Sequence, residues 1–336
     1  MDAVRKIAEA VLYEGYILWP YRRSTTKNQQ RWTFGGVYPR AYSEARGEDD
    51  PWLMQTQCLI AGEEEAQVEV RVRFLHVTER KVGIKSGEIL ELVEELRIGE
   101  DLYLPWDEAT EWEIAVGRFS LSELVDTPVR VGIDIPGGSS QEAVRSPTGE
   151  VEGALVRSWR ALCGTVEVEA EALRDRIFRL TVRITNTTPW EGEDRESTLR
   201  QTFCSTHTTL EVSGGEFVSM TDPPEELRGF AEGCENLKTW PVLVGEQGNR
   251  TMLLSSPIIL SDYPEIAPES PGDMFDGGEI DQLLILNILT LTDEEKAEMR
   301  ASDPRAREIL ERCESLPQED LMNLHGAIRE FRVLRD

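Results

Sequence analysis

The stretch Gln67 to Phe74, QVEVRVRF, alternates apolar and charged residues without a break. Val68, Val70, Val72 and Phe74 fall on one side, and Glu69, Arg71 and Arg73 on the other. A period of two is the signature of a strand with one face on a core and the other toward water. The pattern returns at 177–185, where Phe178, Leu180, Val182 and Ile184 alternate with Arg179, Thr181, Arg183 and Thr185. Further strands are predicted at 92–98, 112–117, 129–135 and 165–173, and at 198–212 and 216–220, the last two joined by a turn at Gly214-Gly215. The small-residue stretch 137–149 reads as a loop or an exposed hairpin. It lacks the glycine spacing and the following helix of a phosphate-binding loop.

Helical signals are few and local. Ser120-x-x-Glu123 and Thr292-x-x-Glu295 are capping boxes, in which side chain and backbone at the first turn satisfy each other. Asp222-Pro223 and Asp303-Pro304 have the cap-then-proline order that opens a helix. Ser315-x-x-Gln318 with Pro317 predicts another, and residues 2–12 carry a short apolar stripe. Ile309, Leu310, Cys313 and Leu316 form one buried face near the C-terminus. The expected class is α+β, mainly β: antiparallel β-sandwich-like sheets over 1–221 with an N-terminal aromatic and basic segment. A loop-rich segment and C-terminal helices over 222–336 are expected to pack on them.

The chain has 336 residues, long enough for a large core, and 63 acidic against 36 basic residues give it a formal charge of -27. Such a balance opposes binding to nucleic acid or to an anionic membrane surface and favours high solubility or docking onto a basic partner. The five cysteines are scattered and odd in number, the pattern of a reducing compartment. With no apolar leader in the first residues and no stretch of roughly 20 apolar residues, a cytoplasmic protein is expected.

Three constellations could carry chemistry. Residues 13–45 hold five of the seven tyrosines and most of a basic cluster. Within them Arg22, Arg23, Lys27 and Arg31, with Asn28 for hydrogen bonding and Trp32 for stacking, could contact an anion or a partner. The competing reading makes the aromatics core and pairs the bases with the acidic loop 262–281, which carries seven carboxylates and no base. That loop lacks the residue order of an EF-hand, so its own binding of a cation stays open. Third, Cys204-x-x-His207 with Cys234 supplies ligand types that suit zinc or nickel, with His76 as another remote donor. On a regular strand, positions 204 and 207 point to opposite faces unless a bulge intervenes, so no cofactor is predicted.

The runs YEGYILWPYRRSTTKNQQRWTFGGVYPR, FCSTHTTLEVSGGEF followed by TDPP, and SSPIILSDYPEIAPESPGDMFDGGEID followed by LTDEEK resemble a bacterial family of uncharacterised proteins. That family is associated with gene clusters for nickel–iron hydrogenases of the aerobic, hydrogen-scavenging type. The resemblance implies a non-catalytic accessory or assembly role for a metalloenzyme, with a hydrogenase subunit or maturation factor as partner. It transfers no residue roles. The alternative is a β-sandwich hydrolase acting on a carbohydrate or a small anionic substrate, which would need a concave pocket with paired catalytic groups.

Overall fold

The computed structural model describes residues 12, 34–46, 50–99, 101–190, 194–264, 288, 291–302 and 304–315. After a short helix α1 (Arg40–Arg46), the chain enters one very long strand, β1 (Leu53–Ser86), which contains the QVEVRVRF stretch. There follow β2 (Ile89–Val93), β3 (Leu96–Ile98), β4 (Asp101–Tyr103) and β5 (Trp106–Ser120), then helix α2 (Leu121–Asp126). Strands β6 (Val129–Ile135), β7 (Gly138–Arg145), β8 (Val151–Trp159), β9 (Leu162–Arg174) and β10 (Ile177–Asn186) come next. Helix α3 (Arg195–Leu199), β11 (Cys204–Phe217), α4 (Arg228–Glu232), β12 (Trp240–Leu243) and β13 (Met252–Ser256) precede the C-terminal helices α5 (Asp293–Ser302) and α6 (Pro304–Glu314).

Strand β1 organises the sheet. Residues 60–61 pair with both β10 and β11, residues 67–75 with β5 and β11, and residues 79–80 with β5 and β8. One edge of β1 therefore carries β10, β5 and β2 in turn, and the other carries β11 and then β8. All of these pairings are antiparallel and unite eleven strands in one sheet, with β3 and β4 as a separate pair. The class is α+β and mainly β. The expected boundary at residue 222 runs through this sheet, because β12 and β13 lie beyond it and extend the β11 side.

The alternation explains the core. Val68, Val70, Val72 and Phe74 are fully buried and share one cluster with Phe178, Leu180, Val182 and Ile184 of β10. Burying each such side chain contributes about 1.5–3 kcal/mol. Phe74 packs against Phe203 with ring centroids 4.7 Å apart and the rings tilted by 32°. The opposite face of β1 does not stay in water. Leu75 and Val77 belong to a second cluster with Tyr38, Tyr42, Met299, Ile309, Leu310 and Cys313. Two-sided covering is why residues 72–78 are buried in an unbroken run. Arg80 ties the C-terminal helices to the sheet, since its Nη2 donates to the carbonyl of Ala301 at 2.7 Å, in the last turn of α5. A cation there complements the helix dipole.

Both capping boxes form. Ser120 and Glu123 satisfy each other at the start of α2, and Thr292 and Glu295 do so before α5. Gly214-Gly215 does not turn the chain; it lies inside β11, opposite an irregularity in β1 between Gly62 and Gln67. A Cβ on Gly62 would sit 3.0 Å from the Gly215 Cα, and Gly214 has φ +78°, so the glycines permit two backbones to close in at a bulge. The segment read as a strand from 198 begins as the end of α3, with the strand itself starting at Cys204.

Candidate functional site

The basic cluster Arg22, Arg23, Lys27, Asn28, Arg31 and Trp32 lies outside the described residues, as do positions 265–281 of the acidic loop. Asp262 at the head of that loop accepts from Ser219, Thr221 and the Leu243 amide, so it ties the segment after β11 to β12.

Cys204, His207 and Cys234 are not brought together. Pairing skips from Arg73–His207 to Leu75–Cys204, and Ser205 has φ +53°, so a bulge does intervene in β11. It turns Cys204 and His207 to the same, outer face, where the Cys204 thiol contacts the carbonyls of Leu199 and Thr202. Cys234 packs elsewhere, against the cluster of Leu59, Val218 and Leu227. Among the described residues no three His, Cys, Asp or Glu side chains are grouped to hold a metal.

Where the inner core ends, a cavity of about 450 Å³ opens. The alternation that carries Phe74 into the core carries His76 and Thr78 into this cavity. Their partners on β5 are Thr110 and Glu108, and Phe74 faces Trp112 across the same pair of strands. The far wall comes from the β6–β7 link at Pro136-Gly137, Ser140 of β7, and Arg157 and Trp159 of β8. Glycine makes this wall possible: a Cβ on Gly138 would lie 2.8 Å from the Trp159 ring. The indole is fixed there by donating from Nε1 to the Pro136 carbonyl at 3.1 Å.

The charges of the cavity are matched internally. Glu108 accepts from Arg80 Nη1 at 2.8 Å on one oxygen and from Arg157 Nε at 2.6 Å on the other. Arg157 also reaches Glu142 at 2.7 Å. Two neutral groups are left over. His76 is 1% exposed and its Nε2 has no hydrogen-bond partner among the described residues; the same holds for Trp112 Nε1. Burial pushes the His76 pKa down to about 4 against the opposing pull of the Arg160 and Arg200 carbonyls, so its ring is neutral at pH 7. The site joins aromatic rings, hydroxyls and one closed ion-pair network, and the two unsatisfied nitrogens are buried in its walls. Sequence reasoning named only His76 of this set, as a remote metal donor. The signal was the continuation of the period-two pattern through His76 and Thr78.

No protein-family model matches the chain, and no curated protein matches it. Among the described residues, no helix is long and apolar enough to cross a membrane.

Proposed function

We propose that this chain is a non-catalytic accessory protein of the cytoplasm that serves a metalloenzyme, with a nickel–iron hydrogenase subunit or maturation factor as its partner. The observation that carries the non-catalytic part is the state of the cavity. Both oxygens of Glu108 accept from guanidinium groups, so this carboxylate is engaged in ion pairs within the protein. A histidine with a pKa near 4 is a weak base at neutral pH. Such a cavity holds a ligand better than it transforms one.

The partner class comes from the family resemblance and from surface chemistry. The chain's charge of -27 favours a basic counterpart. The β1–β2 hairpin adds an apolar contact on one face, with Ile89 70% and Ile84 41% exposed near its tip. Exposed apolar residues grouped on one face mark interaction surfaces. Affinity purification from cells producing the hydrogenase should recover a hydrogenase component in fixed proportion. Ile89→Asp should weaken that recovery at least about tenfold, the effect of losing one well-buried contact. Recovery of no hydrogenase component from such cells would count decisively against the partner.

The hydrolase reading keeps one specific observation in its favour, the juxtaposition of Trp112, Trp159 and Glu108 in one cavity. It requires a carboxyl group able to give up a proton beside a second carboxylate. Turnover of any glycoside by the purified chain would establish it.

A further inference from the structure

A molecule entering the cavity meets walls whose polar groups are already spent within the protein. All three nitrogens of Arg157 donate to carboxylates: Nε at 2.6 Å and Nη2 at 3.3 Å to Glu108, and Nη1 at 2.7 Å to Glu142. Glu108 also accepts from Arg80 at 2.8 Å. The hydroxyls of Thr78 and Thr110 lie 3.3 Å apart and bond to each other. The Trp159 N–H donates to the Pro136 carbonyl. His76 Nε2 and Trp112 Nε1 are sealed inside the walls, out of reach of anything in the cavity. Ser140 adds a hydroxyl only where the chain is exposed.

What the cavity offers is therefore carbon. Trp112 and Trp159 are half-buried lining residues, and with one indole nitrogen sealed and the other bonded they present ring surface. Ile135 and Pro136 continue the apolar wall. A charged ligand would leave water without a free counter-charge to replace its hydration. A neutral polar ligand would give up hydrogen bonds to water that these walls do not return. An aromatic ligand gives up neither, and gains burial and contact with the indoles. Size agrees: an apolar cavity of about 150 Å³ holds one benzene ring, and this one measures about 450 Å³.

We infer that the cavity binds an uncharged aromatic molecule of two or three rings, held by contact with Trp112 and Trp159 and not by hydrogen bonds. This rests on reading the cavity as a holding site, and not on the identity of the partner. The test is fluorescence titration of the full chain with N-phenyl-1-naphthylamine, a neutral three-ring probe, and with its 8-sulfonate, which has the same rings and a negative charge. The neutral probe should bind saturably at one site, and the sulfonate at least about tenfold more weakly. Trp159→Ala should weaken the neutral probe at least about tenfold through lost ring contact. Ser140→Trp should abolish binding by filling the space from its rim. Ser140 is exposed, so this second variant keeps the test decisive if the melting temperature of Trp159→Ala shows a damaged fold. No saturable signal, equal or tighter binding of the sulfonate, or unchanged binding in both variants overturns the inference. Recovery of a hydrogenase component by a chain that binds no probe sinks the ligand and spares the partner. Probe binding with no hydrogenase component recovered does the reverse.

Discussion

His76 and His207 make a controlled comparison. They lie on neighbouring strands, β1 and β11; both are buried, and both Nε2 atoms lack a hydrogen-bond partner among the described residues. Burial lowers both pKa values to about 4. What differs is the surroundings. The His207 ring is fully enclosed, with Nδ1 at 3.1 Å from the Ser205 carbonyl and Arg73 and Glu111 close by. The His76 ring borders a cavity walled by indoles and hydroxyls. Burial and a shifted pKa thus do not distinguish a structural histidine from a site histidine; the empty space beside it does.

The largest expected effect tests what the two share. Each histidine is neutral when folded, with a pKa near 4, and takes up a proton more readily when unfolded, near 6.5. The unfolded state then binds more protons as the pH falls below about 6.5, so stability is lost from there down through pH 4. Each ring should withdraw about 3 kcal/mol by pH 4. Urea unfolding at pH 7 and pH 4.5 should show a smaller acid loss in His76→Gln and in His207→Gln than in wild type. An acid loss unchanged by both substitutions would remove the common ground of the comparison.

The next effect tests where they differ. His207→Ala opens a hole among packed neighbours and should cost about 3 kcal/mol, the order seen for large-to-small changes in cores. His76→Ala enlarges a space that can admit water, and should cost only about 1 kcal/mol. Equal losses of unfolding free energy would mean that the cavity is closed to water and that the two rings are equivalent.

The fold was largely legible because its strands are one-sided. Val68 to Phe74 and Phe178 to Ile184 announce their inner face by spacing alone, and 129–135 is recovered to the residue as β6. Capping boxes were legible because their chemistry is local. Glycines misled at 214–215, where the same freedom that makes a turn instead seats a bulge against Gly62. The cavity was not legible, since its walls meet through register: Trp112 opposes Phe74, Thr110 opposes His76, and β8 arrives from a different edge. Cys204 and His207 share a face only because Ser205 adopts a left-handed backbone, which no spacing rule announces.

Hydroxyls give the smallest and finest form of the same contrast. Thr208, next to His207 in β11, is 1% exposed and its Oγ1 has no hydrogen-bond partner among the described residues. Valine has nearly the same shape without the buried polar atom. Thr208→Val should therefore stabilise the chain by about 1 kcal/mol, the desolvation that the hydroxyl no longer incurs. Thr78, at the cavity, instead has its Oγ1 3.3 Å from Thr110 Oγ1. Thr78→Val removes that bond and strands Thr110, for a loss of about 1 kcal/mol. Opposite signs for one chemical change, read as shifts in melting temperature, follow if the sealed part of the sheet tolerates a polar atom that the cavity uses. Two shifts of the same sign would mean that the line between core and cavity has been drawn in the wrong place.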